Sequence, residues 1–164
     1  MKNVKLYNSP PITEAIIEIT FDGELKQKDF DKVTKKLKKN YPNLQYQNTA
    51  VINLEANSIG SNLIIGNQPG IKLSTNDEAD ILILAQQKLA VARLAPYQGW
   101  DCLFDKMSAS WKTWKTVVGI KPINRIGVRY INRIDIPIDD QGKIENQDYL
   151  NIYPHLPKSI DKLY

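Results

Sequence analysis

The stretch "ITEAIIEITFDGELKQKDFDKVTKKLKKNYPN", residues 12–43, changes its period halfway, and that change decides the fold class. In its first third Ala15, Ile17, Ile19 and Phe21 fall on one side and Glu14, Ile16, Glu18 and Thr20 on the other, which predicts a strand over 12–22. Asp22-Gly23 is a turn signal. Residues 25–41 then place Phe30, Val33, Leu37 and Tyr41 at i, i+3, i+7 and i+11, the period of an amphipathic helix, and Pro42-Asn43 stops it. The outer face of that helix carries Lys26, Lys28, Lys32, Lys35, Lys36, Lys38 and Lys39. A half-buried strand followed by a helix with one apolar face needs a sheet on which both can pack, so the chain reads as α+β.

Further strands follow. "LQYQNTAVINLEA" (44–56) ends near Asn57-Ser58; "SNLIIG" and "GIKLST" read as two pieces broken at Asn67–Gly70. "ADILILAQQ" and "KLAVARLAPY" read as a hairpin turning at Gln86-Gln87. Ile81, Ile83 and Ala85 alternate with Leu82 and Leu84, so this strand is expected to be covered on both faces or to lie in the centre of the sheet. A second helix is predicted over 98–119, with Trp100, Leu103, Phe104, Met107, Trp111, Trp114 and Val118 as its core stripe and Gly119 at its C-terminal end. The lead-in "NSPP" (8–11) is non-helical. The tail holds a turn at Asp140–Gly142 and a helical turn near Tyr149-Leu150.

The chain has 164 residues, 42% of them apolar and 24% charged, as in a soluble globular domain. No run approaches the ~18 apolar residues of a membrane span, and no apolar segment follows Met1-Lys2 as in a secretory signal. Cys102 stands alone in the sequence, which fits a reducing, cytoplasmic compartment. The net charge of +4 permits a polyanionic partner and equally suits an ordinary basic protein.

"INRIGVRYINRIDIPIDD" (123–140) repeats INRI at an offset of eight. Alternation puts Ile123, Arg125, Gly127, Arg129, Ile131, Arg133 and Asp135 on one face of a strand. The arginines then form a line at roughly 13 Å intervals, and Gly127 marks an expected bulge or bend.

"PPITEAIIEITF" (10–21), "RIGVRYINRIDIP" (125–137) and "DYLNIYPHLP" (148–157), with "PYQGWDCLFD" (96–105) between them, resemble a sporadically distributed family of uncharacterised bacterial and archaeal proteins. That family is marked by PPI-x-EA and R-x-G-x-RY-x-N-x-I motifs. The resemblance implies no catalytic residue. It implies an accessory component of a defence-type or mobile system, and a chain of roughly one and a half times this length, of which this sequence is a short or C-terminally truncated member. The element order also resembles the β-α-β4-α unit of TATA-binding-protein-like domains: an antiparallel sheet backed by two helices, followed by the first strand of a second repeat. Residues 1–164 are expected to form one domain.

The candidate binding residues are Arg125, Arg129, Arg133, Glu14 and Glu18. Guanidinium forks on a sheet face grip phosphates or carboxylates. Alternatively Arg129 and Arg133 pair with Glu14 and Glu18, whose spacing matches theirs. The basic helix face, Lys28, Lys32, Lys35, Lys36 and Lys39, suits a nucleic-acid backbone or simply solvent. Asp101 and Asp105 share a helix face but read as dipole and surface residues. His155 and Cys102 lack metal-ligand spacing, and no cofactor motif is present, so no cofactor is expected. The leading expectation is a non-enzymatic binding or interaction module with a protein partner or as a sheet-to-sheet homodimer, away from membranes. The alternatives are a nucleic-acid-binding protein and a small enzyme acting on a phosphate-bearing substrate, gripped by Arg125, Arg129 and Arg133 with Glu14 or Glu18 as base.

Overall fold

The structure, a computed structural model, describes residues 10–57 and 60–136, with residues 48–68 described by their backbone alone. The chain divides into two compact units, Met1–Arg133 and Ile134–Tyr164. Every described strand and helix belongs to the first. The expected turns at Asp140–Gly142 and Tyr149-Leu150, and His155, lie outside the described residues, as does most of the N-terminal lead-in.

The elements run β1 (Ile12–Phe21), α1 (Gln27–Leu37), β2 (Asn43–Asn57), β3 (Gly60–Ser74), β4 (Asp80–Ala85), β5 (Lys88–Leu94), α2 (Trp100–Val118) and β6 (Ile123–Asn132). The strands form one sheet in the order β2-β3-β4-β5-β1-β6, every neighbouring pair antiparallel. The fold is α+β, with the two helices on one face of that sheet.

The period-2 pattern of β1 is what seats it. Ala15, Ile17, Ile19 and Phe21 are buried beneath the helices. Across the sheet their helix-side neighbours are Leu89 and Val91 of β5, Leu82 and Leu84 of β4, and Ile71 and Leu73 of β3, which close one core with Phe30, Val33, Leu37, Leu103, Met107 and Trp114. Each fully buried Leu or Phe here contributes about 1.5–3 kcal/mol of transfer free energy. α1 begins where the Lys26 backbone N–H donates to Asp29 Oδ2 at 3.2 Å. It ends where Asn40 and Tyr41 N–H groups both return to the Leu37 carbonyl at 2.9 Å, ahead of Pro42. α2 closes at Gly119, whose φ of +89° favours glycine.

β4 and β5 occupy the middle of the sheet and are buried on both faces, as the alternation of Ile81–Ala85 implied. Two expectations are corrected. β3 is one continuous strand, not two pieces: residues 60–69 pair with β2 alone and extend the hairpin beyond the sheet, and pairing with β4 begins only at Gly70. Pro69 therefore sits where β3 has a single neighbour, which is where a strand tolerates a residue without an N–H. Of the three tryptophans in α2, Trp114 is fully buried, Trp111 is half-buried against it at 4.7 Å, and Trp100 stacks on Phe104 with both exposed. α2 is wider in its apolar stripe than the surface available beneath it.

Candidate functional site

The arginine face is built by the β1–β6 register. Glu14 lies opposite Ile131, Ile16 opposite Arg129, Glu18 opposite Gly127 and Thr20 opposite Arg125. Arg125, Gly127, Arg129 and Ile131 thus share the face away from the helices, as the alternation predicted. The expected bulge near Gly127 does not occur; the register shifts at the two ends, between Ile12 and Glu14 and between Thr20 and Phe21. Gly127 has another use. A Cβ placed on it would come within 3.1 Å of the Arg125 guanidinium. The bare backbone leaves the lane along which Arg125 reaches back to Glu18.

Glu18 is held from both sides: Arg125 Nη1 donates to Oε1 at 3.2 Å, and Lys88 Nζ lies 3.3 Å from Oε2. The expected pairing of Arg129 and Arg133 with Glu14 and Glu18 is corrected, because antiparallel pairing reverses the order of the matched spacings and brings Arg125, not Arg129, to Glu18. Glu14 and Arg129 make no ion pair among the described residues. Arg133 lies one residue past β6, its backbone N–H donating to the Pro11 carbonyl at 2.8 Å. The crevice beside Glu18, Arg125 and Arg129 encloses about 20 Å³. That is room for little more than one water and far below the roughly 300 Å³ of an ordinary small-molecule site.

Lys28, Lys32, Lys35 and Lys36 are exposed on α1, and Lys39 is exposed in the turn that follows it. Lys32, Lys35 and Lys36 flank an open depression with Thr116 and Val117 of α2. They stand in the helix layer, on the opposite side of the sheet from Arg125 and Arg129. The two basic features do not merge into one track for a nucleic-acid backbone. Among the described residues no group of three or more His, Cys, Asp or Glu side chains is placed to hold a metal, and no helix is long and apolar enough to cross a membrane.

β6 presents a second feature. Its helix-side residues Ile126, Val128 and Tyr130 are 63%, 47% and 41% exposed. α2 packs over β5 and β1 and leaves β6 uncovered, and among the described strands β6 has a neighbour on one side only. Among the described residues Tyr130 is braced by Tyr97, whose ring meets it edge-on at 5.7 Å with the two hydroxyls 3.3 Å apart.

The chain matches no family model, no curated protein and no solved structure.

Sequence reasoning missed a third feature, a charged cluster under the helices. Asp80 opens β4 and Arg93 faces it from β5; they are 8% and 6% exposed. Arg93 Nη1 donates to Asp80 Oδ2 at 3.1 Å, and Arg93 Nε to the Pro96 carbonyl at 3.2 Å. Lys106 of α2 reaches down to both Asp80 oxygens at 2.6 Å. The available signal was a carboxylate and a guanidinium inside two otherwise apolar strands, where charges persist only when paired.

Two phenols are set apart from ordinary tyrosine. Burial, the largest cause, raises the pKa of Tyr41, although its hydrogen bond with Ser110 opposes this. Burial and then the hydrogen bond to Tyr130 raise that of Tyr97. A folded-state pKa above the unfolded value gives stability that is fully present below the usual phenol value of 10.0 and lost as pH rises above it, where the unfolded chain releases protons first. A titration of absorbance at 295 nm is expected to show the Tyr41 and Tyr97 phenols ionising above the usual value. Tyr97→Phe and Tyr41→Phe should each remove one.

Proposed function

We propose that the chain is a non-catalytic interaction module whose β6 edge receives an extended segment of a protein partner. The observation that carries this reading is the exposed apolar row Ile126, Val128 and Tyr130 on a strand with one neighbour among the described strands. Proteins usually blunt such edges with charge, bulges or a covering element. Here the charge lies on the other face, at Arg125, which is 68% exposed along its side chain, and at Arg129. The two faces together specify the partner. Main-chain hydrogen bonds join it to the edge, its apolar residues extend the Ile126–Tyr130 row, and its alternate, acidic residues lie against Arg125 and Arg129. An accessory role in a defence-type or mobile system is the setting that the family resemblance implies for such a module.

The test uses a labelled ten-residue peptide of alternating valine and glutamate, followed by fluorescence anisotropy. Wild-type chain should bind it. Val128→Lys should weaken binding at least about tenfold, while thermal stability changes by no more than about 0.5 kcal/mol, because Val128 is half exposed. Equal binding by both chains, or none by either, would contradict the reading. A dimer in sedimentation that Val128→Lys abolishes would make the occupant a second copy and overturn the acidic-partner assignment.

A further inference from the structure

The helix layer contains a cavity of about 250 Å³ between the C-terminal end of α1, the middle of α2 and the β3–β4 turn. We propose that it binds a small organic molecule carrying a carboxylate. This site is separate from the β6 edge and independent of the reading given for it.

The cavity combines an apolar body with a floor at which Lys106 meets the Asp80 carboxylate. Leu37, the Tyr41 ring and Ala109 supply its apolar wall, and Asn40, Thr75, Asp80, Lys106, Ser110 and Thr113 supply the polar groups. Small-molecule sites are typically of this kind, with a mainly apolar wall and a few convergent polar groups, and start at roughly 300 Å³. The volume suits a ligand of about ten non-hydrogen atoms.

The sign of the ligand follows from the charges. Asp80 is one carboxylate shared by two cations, Arg93 and Lys106, so the triad carries a net positive charge. Lys106 has three N–H donors and Asp80 engages two. The side chain is 26% exposed and lines the cavity, and its third donor is the one open to a ligand oxygen. Ser110, 2% exposed, lies in the same wall with its hydroxyl engaged by Tyr41. The other nearby carboxylate, Asp77, is turned to solvent and already held by Thr75 Oγ1 at 2.6 Å and the Ala79 N–H at 3.2 Å. It is not part of the lining. A planar carboxylate with a short apolar body meets Lys106 at one end and Leu37, Tyr41 and Ala109 at the other; a cation would meet the net positive charge of the triad.

Benzoate is the probe, titrated into the ¹⁵N-labelled full chain, with benzamide, benzylamine and inorganic phosphate in parallel. Saturable benzoate binding in the millimolar range is expected, with shifts centred on residues 37–41 and 106–113. Benzamide should bind about tenfold more weakly, and benzylamine not at all. Lys106→Met keeps the apolar stem and should weaken benzoate about tenfold. Ala109→Leu narrows the cavity without touching the charges and should do the same, so the test survives if Lys106→Met fails to fold. Absence of saturable benzoate shifts, benzoate binding unchanged in both variants, or phosphate binding as tightly as benzoate would overturn the proposal.

Discussion

Asp80→Ala is expected to destabilise the chain by about 3–5 kcal/mol, the cost of removing one partner from a buried ion pair. The reason lies in what is left behind. Lys106 is mobile enough to turn toward solvent, whereas Arg93, 6% exposed on the central strand β5, is not. Its guanidinium would keep only the Pro96 carbonyl as a partner. The loss should appear in urea or thermal unfolding, with Tm lower by roughly 10 °C or more for a unit of this size. Replacing both strand residues, Asp80→Leu with Arg93→Leu, should recover most of the loss, since a well-packed apolar pair is often as stable as a buried ionic one. If Asp80→Ala unfolds at the wild-type midpoint, the triad does not hold β4, β5 and α2 together.

Trp114→Ala is expected to cost a comparable 3–5 kcal/mol. Trp114 is fully buried, packs on Phe21 at 4.7 Å and stacks on Trp111, so it ties α2 to β1 at the end of the sheet where β6 begins. Trp114→Phe should cost much less. It keeps most of the apolar volume and removes an indole N–H that has no hydrogen-bond partner among the described residues. By contrast Arg125→Ala, which breaks a largely exposed pair with Glu18, should change stability by no more than about 1 kcal/mol. Urea unfolding of the three variants gives the order directly.

The parts of the fold that were legible are those where one period persists without interruption. β1, α1, the β4–β5 hairpin and α2 could be read because Ala15–Phe21, Phe30–Tyr41, Ile81–Ala85 and Leu103–Trp114 each repeat with the spacing of their element. β3 was misread as broken because Asn67–Gly70 has the residue types of a turn, and the long pairing with β2 overrode that local preference. The partner of Glu18 was misread because equal spacing on two strands does not give their register. Only the observed alignment, with Gly127 opposite Glu18, shows why Arg125 is the arginine that reaches it. The Asp80–Arg93–Lys106 cluster was not legible as a site, since its members are separated by 13 residues in each interval and share no motif. The exposure of Ile126, Val128 and Tyr130 depends on where α2 lies, and β6's own sequence does not carry that information.

The most direct test of the interaction surface is hydrogen exchange of the full chain with and without the alternating valine–glutamate peptide. A strand added to the edge takes up backbone groups of β6, so slowed exchange confined to residues 123–132 is the result expected here. Slowed exchange on α1 instead, around Lys32–Lys36, would mean that the acidic peptide is held by the lysine face. Unchanged exchange throughout β6 would mean that this edge is not where the protein meets its partner.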